Sequence, residues 1–131
     1  METQFFHDRF GVLSYDDAKD ILELRWFAET EAMTDDDFMR WLEWSAAAAE
    51  EHRAPFMLID TRAFKHQAGT HVWPWRDEYI VPRYNLAGVK KFAFLLPTGA
   101  APKTEPKPEG PARFQTGYFD SREQIDRWFT S

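Results

Sequence analysis

The chain has 131 residues, of which 44% are hydrophobic and 17% aromatic, enough to bury the core of one domain. Its 16 basic and 22 acidic residues give a formal net charge of −6, which excludes the basic face that nucleic-acid binding requires. Cysteine is absent, which excludes disulfides, thiolate metal sites and cysteine nucleophiles. No apolar run reaches the roughly 18 residues of a membrane span, and the first residues lack a secretory signal pattern. We therefore expect a cytoplasmic protein with no membrane span and no nucleic-acid partner.

Two short strands are predicted near the start of the chain, in residues 10–15 and 21–27. In the second, Leu22 and Leu24 alternate with charged residues, which is the period of a half-buried strand. The acidic residues between the two runs suit a hairpin loop. We expect the residues before this hairpin, including His7, to be frayed.

A first helix is predicted over residues 35–53. Thr34 is a suitable N-cap, and Thr34 with Asp37 has the spacing of a capping box. Pro55 ends the helix. Spacings of three and four place one stripe of residues on its packed face, namely Phe38, Trp41, Leu42, Ser45, Ala49 and His52.

Two more helices are predicted further along the chain. Pro74 suits the first turn of a helix that continues to Leu86, and Pro82 inside it predicts a kink or two short helices. Residues 120–123 form a capping box that opens the third helix. That C-terminal helix is expected to bury Ile125, Trp128 and Phe129.

The remaining strands set the fold class. Residues 56–60 and 91–97 are continuous apolar runs, which is typical of neighbouring parallel strands covered on both faces. Residues 113–119 form a last strand, and residues 97–111, with five of the eight prolines, form a mobile surface loop. We predict one α/β domain over residues 1–131. It has a single mixed, centrally parallel sheet of four to five strands and three main helices in the order β-β-α-β-α-β-β-α.

With this element order, residues 58–62, 88–94 and 118–129 resemble the SpoIIAA-like branch of the STAS superfamily of anti-sigma-factor antagonists and their relatives. The resemblance covers nearly the whole chain, roughly residues 8–130. In that branch a buried strand ends in Asp-x-Arg, as residues 60–62 do here. The resemblance implies a small regulatory or ligand-binding module that is similar in fold to lipid-carrying domains.

The better understood antagonists of that superfamily carry a phosphorylatable serine at the N-terminus of the helix after the central strand. In this chain residues 67–70 read Gln-Ala-Gly-Thr at that place, so the Asp-Ser pair is absent. Thr70 is the one hydroxyl there and is the candidate phosphosite. The alternative is a threonine that forms a turn or caps the helix.

Two groups of residues are candidates for a ligand or partner surface. Asp60 and Arg62 follow a buried strand, at the edge where open parallel sheets bind ligands, although Asp60 could instead pair with a local donor. The second group surrounds the second helix and comprises His71, Trp73, Trp75, Arg76, Tyr79, Arg83 and Tyr84. Three interpretations of it stay open: a core helix over the sheet, a surface for a dimer or protein partner, and a pocket for an amphiphilic anion.

No constellation in the sequence points to catalysis. The serines lie in no nucleophile elbow, and there is no glycine-rich phosphate loop. His66 and His71 span a glycine, so their spacing does not define a metal site, and we expect no metal and no cofactor.

The expected function is therefore that of a non-enzymatic regulatory or binding module that acts through protein–protein contact, as a homodimer or with another protein partner. The alternative is a carrier or sensor of a small hydrophobic or lipid-like ligand in a pocket beneath the second helix.

Overall fold

Six strands form one mixed sheet whose spatial order follows the sequence. The computed structural model describes residues 2–131. The strands are β1 (Glu2–His7), β2 (Gly11–Asp16), β3 (Ile21–Trp26), β4 (Phe56–Asp60), β5 (Lys91–Leu95) and β6 (Gln115–Phe119). Strands β1, β2 and β3 pair antiparallel, whereas the pairs from β3 to β6 are parallel. The α/β class and the mixed, centrally parallel sheet are therefore as predicted.

The helices are α1 (Asp35–His52), α2 (Val72–Trp75), α3 (Val81–Ala87) and α4 (Arg122–Phe129). A π-helical turn over Arg76–Ile80 joins α2 to α3 into one helical region, so the chain has the three main helices that the sequence predicts. A short 3-10 helix spans Ala28–Ala32. Within residues 2–131, no helix combines the length and the apolar character needed to cross a bilayer.

The two apolar runs lie side by side as predicted. Leu58 of β4 pairs in register with Ala93 of β5, and Ile59 pairs with Phe94. Both strands lie inside the sheet, since β3 and β6 flank them. Leu58 and Ala93 are fully buried, which explains why these strands show no polar alternation.

The N-terminal segment corrects the sequence prediction, because residues expected to fray form the sixth strand, β1. A bulge between Gln4 and Phe6 places both Phe5 and Phe6 against α1. The Phe5 ring lies 4.7 Å from that of His52, and the Phe6 ring stacks 4.5 Å from that of Trp44. Because the bulge breaks the period of two, the pattern that reveals a strand is absent here.

Helix α1 begins as predicted. The Asp37 backbone N–H donates to Thr34 Oγ1 at 3.1 Å, and the Thr34 N–H donates to Asp37 Oδ2 at 3.0 Å, completing the capping box. The predicted stripe is buried apart from His52, which is half-buried.

The second helical region starts at Val72, two residues before the predicted Pro74. Its interruption lies just before Pro82, as the sequence indicates: the Val81 N–H donates to the Arg76 carbonyl, five residues back. Proline lacks an N–H and its ring crowds the preceding turn, so the helix widens there into a π turn. Turns of this kind reorient the side chains that they carry, and Arg76 is the first residue of this one.

Alternation along the parallel strands divides the core into two clusters on opposite faces of the sheet. The cavity-side cluster contains Met57, Ile59 and Phe92 and packs against α1 and the second helical region. The α4-side cluster contains Leu58, Ala93, Leu95, Ile125 and Phe129.

The proline-rich residues 97–111 contact β6 and α3 near the end of the segment. Lys107 forms an antiparallel bridge with Thr116, and the Asn85 side chain donates to the Pro111 carbonyl and accepts from the Arg113 N–H. These contacts attach the end of the segment to α3 and β6. Its mobility stays a prediction.

Candidate functional site

A cavity of about 370 Å³, called here the aromatic cavity, lies between the sheet and the helices α1, α2 and α3. Aromatic side chains dominate its lining. Those from the sheet are Trp26, Phe92, Phe94 and Tyr118. Those from the helices and loops are Phe38, Phe64, Trp73, Tyr84 and Phe114. The space is open to solvent where Trp73 and Glu109 are exposed, so a small molecule can enter it.

The floor of the aromatic cavity comes from alternate residues of the parallel strands. Phe92 and Phe94 of β5 point to this face, and Thr116 and Tyr118 of β6 lie beside them. The Phe94 and Tyr118 rings stack with 5.3 Å between centroids. Because parallel strands align such residues in rows, four neighbouring strands build a continuous apolar floor.

The walls of the cavity consist of aromatic rings in contact, which on the side of α1 and α2 meet edge to face or tilted. Phe38 of α1 lies 6.0 Å from Trp73 of α2, and Phe64, in the loop after β4, lies 5.2 Å from Trp26. On the opposite side the Phe114 ring stacks on that of Phe92, with 5.6 Å between centroids. Rigid rings braced in this way cannot collapse into the gap as a flexible side chain would.

A buried hydrogen-bond chain holds the roof of the cavity. The Ser45 hydroxyl donates to the Leu42 carbonyl at 2.7 Å, so the Tyr84 hydroxyl, 2.7 Å away, donates to Ser45 Oγ. Tyr84 is 1% exposed, and this burial raises the pKa of its hydroxyl. The chain links α3 to α1 and positions the Tyr84 ring against the cavity.

Two charged residues, Arg76 and Glu109, line the aromatic cavity. The Arg76 guanidinium carbon lies 5.5 Å from the centre of the Phe92 ring. The Tyr118 hydroxyl donates to both oxygens of Glu109, at 2.8 and 3.0 Å. Burial of Tyr118, together with this hydrogen bond and the charge of Glu109, raises the pKa of Tyr118 to about 12. Tyr118 therefore remains a protonated donor at neutral pH.

The structure brings three of the predicted site residues, Trp73, Arg76 and Tyr84, to the aromatic cavity. Trp75 is half-buried against the cavity-side cluster, and Tyr79 is 57% exposed. Arg83 forms hydrogen bonds of 3.0 and 2.6 Å with Glu50, joining α3 to α1. The second helix is therefore both a core helix and the roof of a cavity.

Asp60 and Arg62 lie apart from the cavity. The Asp60 side chain points to the α4 side of the sheet, where Arg62 binds both its oxygens at 3.0 and 2.8 Å. Arg122 of α4 lies 3.9 Å away and is bound by Glu23. Burial alone would raise the pKa of Asp60, but the hydrogen bonds and charge of Arg62 hold it below its ordinary value. This is the local pairing that the sequence left open for Asp60.

His66 and His71 flank Asp35 at the start of α1. The His66 Nε2 lies 2.8 Å from Asp35 Oδ1, His71 Nε2 lies 3.8 Å from Oδ2, and the Gly69 N–H donates to the same carboxylate. The hydrogen bond with His66 and that from Gly69 lower the pKa of Asp35. This cluster ties the loop after β4 to α1. Within residues 2–131 no group of three histidine or acidic side chains is arranged to hold a metal ion.

Thr70 is exposed in the turn before His71, and His71 occupies the N-cap position of α2 without a side-chain cap hydrogen bond. Thr70 thus belongs to a turn, one of the two structural alternatives. Its phosphorylation stays a prediction.

The sequence analysis did not single out the floor of the cavity, above all Phe94, Thr116 and Tyr118. A signal for them existed: in the predicted strands 91–97 and 113–119, alternate residues are large or hydroxyl-bearing. That signal becomes useful only when the two strands are known to be neighbours facing the same helices.

Comparisons of the chain with protein-family models, with curated proteins and with solved structures found no match. The resemblance to the SpoIIAA-like branch accordingly stays a prediction based on the residues quoted for it.

Proposed function

We propose that the protein binds a small, mainly apolar molecule in the aromatic cavity, and acts as a carrier or sensor of that molecule. The observation that supports this proposal is the cavity of about 370 Å³ with nine aromatic residues in its lining. Pockets that bind small molecules have volumes of roughly 300–1,000 Å³ and combine apolar walls with a few polar groups. Protein–protein contact was the function expected from the sequence, and a ligand pocket beneath the second helix was the alternative. We place that alternative first.

The chemistry of the lining favours binding over catalysis. The Tyr84 hydroxyl donates to Ser45, and Glu109 accepts from Tyr118. Thr61 Oγ1 donates to the Leu95 carbonyl at 2.8 Å. None of these pairs joins a nucleophile to a base that a third group orients, which is the arrangement that covalent catalysis uses. A non-enzymatic role is therefore part of the proposal.

Filling the cavity tests this function. Ala112 lines the cavity and is 9% exposed, so Ala112→Phe places a ring in the space without removing any polar group. We expect the neutral fluorescent probe phenylnaphthylamine to bind the wild-type protein, with energy transfer from Trp26 and Trp73. In Ala112→Phe we expect its affinity to fall by at least about tenfold, or ~1.4 kcal/mol.

Ala100→Phe is the matched control, because Ala100 is exposed in the proline-rich segment and lies outside the cavity. Thermal unfolding followed by circular dichroism shows whether each variant is folded. Equal probe affinity in the wild type and in folded Ala112→Phe would contradict binding in the aromatic cavity, and so would a wild-type protein that binds no probe.

Self-association is the second candidate function, and the exposure of Tyr79 and Leu86 favours it. Leu86 is 74% exposed and Tyr79 is 57% exposed, so both side chains face outward from the second helical region. Sedimentation velocity at micromolar concentration would test a homodimer. We expect Leu86→Ser to shift a dimer toward monomer, whereas Gln124→Ser, at an exposed position of α4, should not. A wild-type protein that is strictly monomeric would contradict this candidate.

A further inference from the structure

Arg76 differs from the other half-buried arginine of the second helical region. Arg83, seven residues later, binds the Glu50 carboxylate through two hydrogen bonds. Arg76 is also half-buried, yet within residues 2–131 it forms no ion pair and no hydrogen bond from its side chain. Its contact is the face of Phe92, 5.5 Å from the guanidinium carbon. Partial burial of a guanidinium without a carboxylate has a desolvation cost that an anionic ligand would offset.

A second polar group faces the same space without a partner. Thr116 is 5% exposed and lines the aromatic cavity from β6. Its backbone N–H and carbonyl bind Lys107, whereas its hydroxyl has no hydrogen-bond partner in the described chain. This oxygen is not sealed off from solvent, so it is available to a ligand.

The acidic residue of the lining does not cancel the charge of Arg76 by direct contact. Glu109 lies more than the 4 Å of an ion pair from any basic group of residues 2–131, and both its oxygens accept from Tyr118. Glu109 is exposed at the cavity edge, whereas Arg76 is half-buried over the aromatic floor. The more enclosed charge is thus the positive one.

We infer that the ligand of the aromatic cavity is a compact aromatic anion, whose carboxylate or similar acid group binds the Arg76 guanidinium while its ring packs against Phe92, Phe94 and Phe114. This inference rests on the proposed function, since it names the ligand class of the same site. A guanidinium matches a planar carboxylate or an oxoacid with two parallel hydrogen bonds, and Thr116 can add a third. The modest volume and the rigid rings favour a flat, compact ligand over a long acyl chain.

Two fluorescent probes with the same frame separate the ligand class from cavity binding itself. Anilinonaphthalene sulfonate and phenylnaphthylamine share their ring system and differ by one sulfonate group. We expect the wild-type protein to bind the sulfonate about tenfold more tightly than the neutral probe. In Arg76→Met the ratio of the two affinities should fall to about one, and Arg76→Lys should keep part of the preference because the charge remains.

Arg127→Met is the matched control, since Arg127 is an exposed arginine of α4 on the opposite side of the sheet. Its probe preference should equal that of the wild type. If the neutral probe binds but the wild type shows no preference for the sulfonate, or if Arg76→Met keeps that preference, the anion inference is wrong and the proposed function stands. If neither probe binds the wild type, both are wrong. Thermal unfolding of each variant shows that the comparison is made on folded protein.

Discussion

The two faces of the sheet are built from the same strands and yet pack in opposite ways. On the α4 side, Leu58, Ala93 and Ile125 are all 0% exposed and form one apolar cluster. On the cavity side, the Phe38 and Phe64 rings lie 5.6 Å apart and, with Phe92, line a cavity of about 370 Å³. Each parallel strand thus contributes one row of side chains to a packed cluster and the other row to a face that contains a cavity.

The comparison shows how side-chain arrangement separates stability from function. On the α4 side, aliphatic residues pack beside aromatic ones, and the Phe56 and Phe129 rings stack 4.9 Å apart, so the buried atoms there gain dispersion contacts. On the other side, the rings of Phe38, Phe64 and Trp73 meet at angles beside the cavity and do not fill it. We therefore expect substitutions on the α4 side to affect mainly stability, and those around the cavity to affect mainly binding.

The largest effect is expected for a leucine on the α4 side. Leu58→Ala should lower the free energy of unfolding by about 2–5 kcal/mol, because the fully buried side chain leaves a void among packed neighbours. Leu24 of the adjacent strand is 1% exposed and lines the aromatic cavity. Leu24→Ala should cost about 1 kcal/mol less than Leu58→Ala, since Leu24 has partner atoms on fewer sides.

Urea unfolding of both variants, followed by tryptophan fluorescence and circular dichroism, measures this difference. The matched pair compares the same substitution at equal burial in neighbouring strands. An equal or larger cost for Leu24→Ala would mean that the cavity side is packed as tightly as the α4 side.

A smaller, pH-dependent effect is expected for Asp60 on the α4 side. At neutral pH, Asp60→Asn should lower the free energy of unfolding by about 1 kcal/mol, less than for a fully buried pair because Arg62 is more than half exposed. The folded-state pKa of Asp60 is lowered by Arg62, so this stabilisation is fully present above the unfolded carboxyl pKa of about 4. It is lost as pH falls through the lower folded-state pKa.

Urea unfolding at several pH values between neutral and about pH 3 checks this dependence. The difference between the wild type and Asp60→Asn should shrink steadily below about pH 4. Glu105→Gln, in the exposed proline-rich segment, is the control and should change stability by less than about 0.5 kcal/mol. A difference that stays constant down to the lowest pH would show that Asp60 contributes through packing and not through its charge.

The sequence predicted an element well where the residues that signal it lie within a few positions of each other. Thr34 and Asp37 mark the start of α1, and Pro82 marks the interruption of the second helical region. The β1 strand was not predicted because its bulge places Phe5 and Phe6 against the same helix. Only the pairing with β2 defines that bulge.

The candidate site was predicted less completely because its parts come from distant places in the chain. Trp73, Arg76 and Tyr84 could be selected as a cluster, since one helical region carries them. Asp60 and Arg62 belonged to the same candidate surface, but strand alternation turns Asp60 to the opposite face. Closeness in the sequence does not show which face of the sheet a residue occupies, or which helices cover that face.

The sequence by itself determined the class of the fold, because apolar periodicity and capping signals act over one or two turns or along one strand. It also predicted that the two apolar runs are central strands, since a strand covered on both faces carries apolar residues without polar alternation. The tertiary structure alone decided that Phe94, Thr116 and Tyr118 share a cavity with Arg76. That outcome depends on strand register and helix placement, which are set by packing between segments far apart in the chain.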